Sequence, residues 1–345
     1  MKWIKKFKSP GYNYHFNSKD GLFLRWGKDV KDDPDYSPFG PGILDIEISS
    51  VCSNGCKFCY KSNTAKGKNM SLDKYKKIFS KFPDHVTQIA FGIGDIDSNK
   101  DLWKIMEYTR ENKVVPNVTI NGSRMTPEYY DKLANVCGAV AVSLYDHDVC
   151  YDAVKELTDR GMDQINIHCL LSNETYDKCM KVLKDKLEDG RLEKLNAVVF
   201  LWLKPKGKRN TLTQLKDMDK FKKLIDFAFE NEIGIGFDSC SSGNFLEAIK
   251  DKENYETISN YVEPCESCCF SYYLNVDGIG FPCSFSEEVD DYEGIDIENC
   301  DNFLGDVWFG KESRRFRKDL LETKCNGSCR SCPLYDLHIG GKDED

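Results

Sequence analysis

The chain has 345 residues, of which 40% are hydrophobic and 30% charged, a composition typical of a soluble globular protein with a sizeable core. Its formal net charge of -9 disfavours a nucleic-acid-binding protein, whose affinity depends on cationic side chains that neutralise phosphates. No apolar run is long enough to span a membrane and no secretory signal is visible, so we expect a cytoplasmic protein without a membrane partner.

The first 42 residues predict a β-hairpin followed by a linker. Two short aromatic-rich runs, residues 12–16 and 22–26, flank an Asp-Gly pair, which is a strong signal for a tight turn between strands. Prolines and glycines between residues 34 and 42 then favour an irregular connection. We expect the hairpin to cover the next domain as a structural lid, and binding of a peptide by its aromatic rings is the alternative.

From residue 43 onward, predicted strands alternate regularly with predicted helices. The strands cover residues 43–48, 86–91, 114–120, 139–144, 165–171, 195–203 and 233–237. The helices cover residues 71–80, 100–112, 126–136, 150–160, 175–187 and 216–231. Strands separated by helices of this length indicate βαβ units and a parallel sheet, which is either doubly wound or a partial barrel. In a parallel barrel the reactive residues lie at the carboxyl ends of the strands.

Three cysteines lie in the loop that follows the first of these strands. Cys52, Cys56 and Cys59 have the spacing C-x3-C-x2-C, with Phe58 directly before the last of them. Thiolates so spaced can hold three irons of a [4Fe–4S] cluster and leave the fourth iron open, as a Lewis-acid or redox site requires. A zinc site completed by a distant ligand such as His85 or His147 is the alternative.

This cysteine loop, in its place after a first barrel strand, resembles that of the radical S-adenosylmethionine (SAM) superfamily. The resemblance implies an α/β fold with a partial (βα)6 TIM-like barrel over residues 43–238. It also implies that the amine and carboxylate of SAM chelate the open iron. Reductive cleavage of SAM would then give a 5′-deoxyadenosyl radical that abstracts a substrate hydrogen, with electrons from a donor such as flavodoxin or ferredoxin.

The same resemblance implies which residues at later strand ends contact the cofactor. The segment Gly92-Ile93-Gly94-Asp95 occupies the place of a Gly-Gly-Glu-type motif that binds the methionine amine, although Ile93 interrupts the glycines and Asp95 replaces glutamate. A helix cap, a turn and buried core residues are the structural alternatives for these positions. The predicted cofactor-binding residues are Phe58, Gly92, Gly94, Asp95, Asn121, Ser143 and His168.

The C-terminal part, residues 239–345, holds nine of the 16 cysteines and few long periodic segments. Reduced cytoplasmic thiols argue against disulfides, so this composition favours a small cysteine-rich iron–sulfur domain organised by metal. The candidate ligands are Cys265, Cys268, Cys269, Cys283, Cys300, Cys325, Cys329 and Cys332. Asp238 and Cys240, just after the last barrel strand, are expected near the mouth of the active site.

The run Cys268-x9-Gly278-x4-Cys283 resembles the opening of SPASM and twitch extensions of radical SAM enzymes. This resemblance implies one or two auxiliary [4Fe–4S] clusters, and a zinc ribbon is the alternative. A barrel with such an extension implies an oxidoreductase or peptide-modifying enzyme whose substrate is a peptide or protein. A radical dehydrogenase of a small sugar or nucleotide and a non-catalytic zinc-binding protein remain the competing hypotheses.

Overall fold

The N-terminal segment forms a small antiparallel sheet that packs on the rest of the protein. The computed structural model describes residues 3–29, 32–322, 324–325, 329–330 and 332–334. The sheet consists of β1 (Ile4–Phe7), β2 (Asn13–Asn17) and β3 (Phe23–Trp26), in that order. The predicted hairpin is confirmed as β2 and β3, whereas β1 was missed because its central lysines interrupt any apolar alternation.

Aromatic side chains of the small sheet pack around His85, which belongs to the barrel. The His85 ring centre lies 4.7 Å from that of Tyr14 and 5.2 Å from that of Phe7. Tyr12 and Tyr14 are almost fully buried in this contact. These rings therefore pack as a structural lid on the barrel, so they are not open to a peptide.

The parallel strands follow one another in the sheet in their chain order. They are β4 (Ile43–Glu47), β5 (Gln88–Gly92), β6 (Val115–Ile120), β7 (Val140–Ser143), β8 (Ile165–Leu171), β9 (Ala197–Trp202) and β10 (Ile235–Phe237). In the described part of the chain, the order runs without reversal from β4 to β10, and each neighbouring pair is parallel. A doubly wound sheet reverses its order at a switch point, so the arrangement is of the barrel type.

Helices connect these strands at the predicted places. They are α1 (Leu72–Phe79), α2 (Leu102–Glu111), α3 (Pro127–Val136), α4 (His147–Asp159), α5 (Tyr176–Glu188) and α6 (Met218–Glu230). Polar caps define several starts: the Ser71 hydroxyl accepts the Lys74 N–H at 3.3 Å, and the Asp146 carboxylate accepts the Val149 N–H at 3.1 Å. The Asp146 cap explains why α4 begins before the predicted residue 150.

C-terminal strands extend the barrel sheet beyond β4. An Asp-Gly hairpin forms from β11 (Ser271–Leu274) and β12 (Ile279–Phe281), with Gly278 at a φ of +75° in the turn. Strand β11 pairs in parallel with β4, and β13 (Ile295–Asp296) pairs with β12. Because the sheet is continuous across residue 238, the division of the chain into segments 1–42, 43–238 and 239–345 stays a prediction.

The remaining C-terminal elements pack against this extended sheet. They are α7 (Ser242–Ile249), α8 (Tyr255–Ser259), a π-helical segment (Phe303–Trp308), α9 (Lys311–Glu322), β14 (Lys324–Cys325) and β15 (Cys329–Arg330). The Trp308 indole is fully buried and donates a hydrogen bond to the Ser37 carbonyl at 2.8 Å, which joins this region to the linker. Among the described residues, no helix has the length and apolar character needed to span a membrane.

Candidate functional site

A cavity of about 600 Å³ lies at the carboxyl ends of the barrel strands. Its walls include Glu47 at the end of β4, Ser143 at the end of β7 and Leu201 on β9. Tyr273 of β11 and Ser284, which follows the C-terminal hairpin, close another side. A concave site at this end of a parallel barrel is the usual position for an active site.

Cys52, Cys56 and Cys59 all line this cavity. The loop that carries them is held by backbone hydrogen bonds, including one from the Cys52 N–H to the Thr64 carbonyl at 2.9 Å. Burial raises the pKa of the Cys56 thiol, and the neighbouring Cys52 and Cys59 raise it further. Burial likewise raises the pKa of Cys52, with a further contribution from Cys59. The three thiols therefore share one confined space, where their thiolates require a compensating positive charge.

The cradle around these thiols fits a [4Fe–4S] cluster. A Cβ atom on Gly94 would lie 2.6 Å from the Cys52 Cβ, so only glycine lets the end of β5 approach the loop this closely. A Cβ on Gly207 would similarly collide with the Cys59 carbonyl. Within the described ranges, no three His, Cys, Asp or Glu side chains are grouped tightly enough to bind a single metal ion. In a [4Fe–4S] cube each thiolate binds a different iron, so three thiolates leave one iron open.

Most of the predicted cofactor-binding residues are brought together around the cavity. Its lining includes Phe58, Gly92, Gly94, Asn121, Ser143 and His168. The Asn121 amide donates to the Gly94 carbonyl at 3.4 Å and so connects the ends of β6 and β5. Burial lowers the pKa of His168 to about 4 despite the opposing effect of Asp238, so its imidazole is neutral at neutral pH. His168 can thus hydrogen-bond to a ligand without adding charge.

Asp95, the remaining predicted cofactor-binding residue, does not line the cavity. It accepts the Ser53 backbone N–H at 2.9 Å and lies 3.7 Å from the Arg124 guanidinium. Its own N–H donates to the Val51 carbonyl at 2.9 Å. Asp95 is thus buried against the cysteine loop, which it holds in place, and its contact with the cofactor stays a prediction.

Four C-terminal thiols form a second cluster of cysteines: Cys240, Cys265, Cys283 and Cys332. Cys240 is hydrogen-bonded to Cys265, and this contact, together with burial, raises the pKa of Cys240 well above its usual value. Burial raises the pKa of Cys283 to about 11, with a contribution from Cys240. Burial also raises the pKa of Cys332 to about 12, and both Cys240 and Cys283 add to the effect. Four thiols so placed suit a cluster with four thiolate ligands.

Among the described side chains, the predicted ligands Cys268 and Cys300 have other hydrogen-bond partners. The Cys268 thiol donates to the Ser313 carbonyl at 3.5 Å and lies beside Arg317, although Cys283 is also near enough to affect its pKa. The Cys300 thiol donates to the Ile297 carbonyl at 3.3 Å. Cys269 is fully buried. Cys325 faces Cys329 across the β14–β15 pair, and the side chains of both lie outside the described residues.

Comparison with known proteins agrees with this site. Residues 46–149, which include the cysteine loop, match the family model of the Radical SAM superfamily. The chain therefore carries a radical SAM domain over these residues. A radical SAM domain binds a [4Fe–4S] cluster and SAM, and the C-terminal cysteines are consistent with auxiliary clusters. A search of curated protein sequences found no match.

Solved structures with a similar fold include radical SAM proteins. Streptococcus suis SuiB bound to its precursor peptide SuiA has a TM-score of 0.70 at 12% identity, over 92% of this chain and 90% of that chain. The protein anSMEcpe with bound AdoMet and Cp18Cys peptide has a TM-score of 0.62 at 18% identity, over 89% and 92% of the two chains. At these identities the likeness shows the fold.

A buried polar network links the radical SAM cysteine loop to the C-terminal hairpin, and sequence reasoning missed it. The Lys61 ammonium is ion-paired with Glu287, lies 3.4 Å from a Glu47 carboxylate oxygen and donates to the Tyr273 hydroxyl at 2.6 Å. The Asn275 amide donates to Glu287 at 2.8 Å. Lys61 follows Cys59 closely in the chain, but nothing local in the sequence indicates a partner as distant as Glu287.

Asp45 is a second residue of the radical SAM cavity that was not predicted. It lies on β4 between buried apolar neighbours, and its exposed side chain opens into the cavity. Because the cavity is enclosed by the protein, burial of the Asp45 carboxyl raises its pKa to about 6, with a smaller contribution from Glu266. Such a carboxyl can exchange a proton near neutral pH. A charged residue inside an otherwise apolar strand was the available signal in the sequence.

Proposed function

We propose that this radical SAM protein abstracts a hydrogen from a peptide or protein substrate and so crosslinks or oxidises it. The observation that carries the proposal is a three-thiol cradle in a cavity whose wall continues, through Ser284, to the four-thiol site. Ser284, directly after Cys283, lines the same cavity as Cys52, Cys56 and Cys59. An auxiliary cluster at the four-thiol site would therefore lie next to the substrate space.

In this proposal, each group of residues has a distinct task. Cys52, Cys56 and Cys59 hold the cluster with the open iron, and SAM bound there supplies the 5′-deoxyadenosyl radical. The residues that position SAM are Phe58, Gly92, Gly94, Asn121, Ser143 and His168. The residues that hold one auxiliary [4Fe–4S] cluster are Cys240, Cys265, Cys283 and Cys332. Cys240 was not among the predicted metal ligands, and we include it because it is hydrogen-bonded to Cys265.

Two observations favour a peptide or protein as substrate. Two solved structures of similar fold hold a peptide, SuiB with SuiA and anSMEcpe with Cp18Cys peptide, and each matches about nine-tenths of this chain. A cavity of about 600 Å³ is large enough for SAM together with a substrate side chain. This support rests on the similarity of fold and on the size of the cavity. Which residue of a substrate is modified depends on the chemistry of the site itself.

Metal analysis and SAM cleavage test the proposal. The protein is purified anaerobically, reconstituted with iron and sulfide, and incubated with SAM and either dithionite or reduced flavodoxin, and 5′-deoxyadenosine is quantified. We expect 5′-deoxyadenosine from the native protein and none from the C52A/C56A/C59A variant, which keeps the iron of the auxiliary site. A protein that binds zinc and no iron after reconstitution would contradict the proposal and favour the zinc-binding alternative.

A further inference from the structure

A buried lysine lies between two of the chain segments that carry the auxiliary thiols, those of Cys240 and Cys283. Lys204 follows β9, and its side chain is only 13% exposed. Its ammonium is ion-paired with Asp238, which precedes Cys240 by two residues. It also lies 5.5 Å from the ring centre of Phe285, two residues after Cys283. The Phe285 backbone N–H in turn donates to the Cys283 sulfur at 3.4 Å.

The position of Lys204 places its positive charge beside the four-thiol site. Its ammonium interacts electrostatically with Cys240 and Cys283 and with Cys332. Asp238 is 20% exposed and offsets part of this charge. An ion pair this far from solvent is poorly screened, so each of its two charges acts on neighbouring groups at close range.

A cluster with four thiolate ligands is anionic in both redox states and gains a further negative charge on reduction. A nearby cation therefore stabilises the reduced form more than the oxidised form and raises the reduction potential, as charge and exposure do for iron–sulfur sites in general. A nearby carboxylate acts in the opposite direction. Removing the charge of Lys204 should therefore lower the reduction potential of the auxiliary cluster, and removing the charge of Asp238 should raise it.

We propose that Lys204, balanced by Asp238, sets the reduction potential of the auxiliary cluster so that it accepts an electron from the substrate. This inference rests on the proposed function. In the overall oxidation, the substrate gives a hydrogen atom to the 5′-deoxyadenosyl radical. It then gives a proton to a cavity carboxylate, for which Asp45 is placed, and one electron to the oxidised auxiliary cluster. The substrate loses two electrons and two protons in total, which fits dehydrogenation or bond formation.

The test measures the potential of the auxiliary cluster directly. The full-length C52A/C56A/C59A protein, reconstituted anaerobically, carries the auxiliary cluster alone, and EPR at a series of fixed potentials gives its reduced fraction. In this background, K204M is compared with K204R, D238N and K252M. Lys252 is a matched control, because it is partly buried, donates to Asp226 at 2.6 Å and lies over the Phe229 ring at 5.1 Å.

We expect the reduced-to-oxidised ratio at a fixed potential to fall about tenfold in K204M, a shift of about 59 mV to lower potential for one electron. K204R and K252M stay near the parent value, and D238N shifts to higher potential. An unchanged potential in K204M, or a shift of D238N in the same direction as K204M, would overturn the inference and leave the proposed function standing.

The experiment still decides the inference if a variant loses its auxiliary cluster. If K204M does not retain a cluster, D238N decides: a higher potential supports the inference, and an equal or lower potential refutes it. If the C52A/C56A/C59A parent binds no iron–sulfur cluster at all, the auxiliary site of the proposed function fails together with the inference.

Discussion

Replacing Lys61 by methionine is expected to destabilise the fold strongly, because it removes the cation from a buried network. The Lys61, Glu47 and Glu287 side chains are 15%, 7% and 18% exposed, respectively. In K61M both carboxylates lose their ion-pair partner, and the Tyr273 hydroxyl loses a donor. Breaking a buried pair by removing one partner costs about 3–5 kcal/mol, so we expect a loss of this size in the free energy of unfolding at pH 7.

Urea denaturation of the anaerobic protein, followed by tryptophan fluorescence, measures this loss. With a slope of about 3 kcal/mol per molar urea, the midpoint should fall by about 1 M. K155M is the matched control: Lys155 also pairs with a carboxylate, Asp159, but both are about half exposed, and an exposed pair contributes little to stability, so its urea midpoint should stay near the native value. The double variant K61M/E287Q should recover part of the loss, because one of the unpaired carboxylates is gone.

The pH dependence of the K61M effect has a definite sign. Burial raises the pKa of Glu47, and Lys61 opposes that shift, so the pKa rises further when Lys61 is removed. A protonated carboxyl needs no cation, and the stability difference between K61M and native protein should therefore shrink as the pH falls from 8 to about 5. A K61M midpoint within about 0.2 M of native at pH 7, or a difference that grows on acidification, would refute this reasoning.

Three further predictions follow from individual contacts. G94A should prevent assembly of the radical SAM cluster and lower the iron content by about four per chain. G190A is the control, because a Cβ there meets nothing within 4 Å, and it should keep the iron. Equal iron contents in the two variants would contradict the role of Gly94 in the cysteine cradle. C240A should lose the auxiliary cluster and C300A should keep it, as measured by iron and sulfide content, and the reverse result would contradict the four-thiol assignment. Burial lowers the pKa of His85 to about 4, so between about pH 6.5 and 4 the unfolded chain binds a proton that the folded protein excludes. The free energy of unfolding therefore decreases as the pH is lowered through this range. Urea midpoints at pH 7 and pH 5 should show a smaller decrease for H85F than for native protein, and an equal decrease would argue against this role.

Local patterns predicted the barrel elements well, because strand and helix periodicity and cap residues act over a few neighbours. The helix predicted over residues 71–80 forms as α1, and the Ser71 hydroxyl caps it by accepting the Lys74 N–H. The Asp-Gly pair near the N-terminus likewise predicted the β2–β3 hairpin. The cysteine loop was found in the sequence because all three thiols lie within eight residues.

Contacts between residues that are far apart in the sequence could not be predicted from local patterns. The parallel contact of β11 with β4 joins segments more than 220 residues apart, and no local periodicity indicates it. The same holds for the meeting of Cys240 with Cys332, and for Lys61 with Glu287. The direction of the Asp95 side chain, toward the Ser53 N–H, also depends on the folded loop and could not be predicted from its position in the chain.

The most direct test of the central claim is the effect of SAM on the EPR spectrum of the reduced protein. A cluster held by Cys52, Cys56 and Cys59 has an open iron that SAM can chelate, so adding SAM should change the spectrum of the native protein. The C52A/C56A/C59A variant should show only the auxiliary cluster signal, unaffected by SAM. A native spectrum that is identical with and without SAM, in a protein that contains both clusters, would contradict the account.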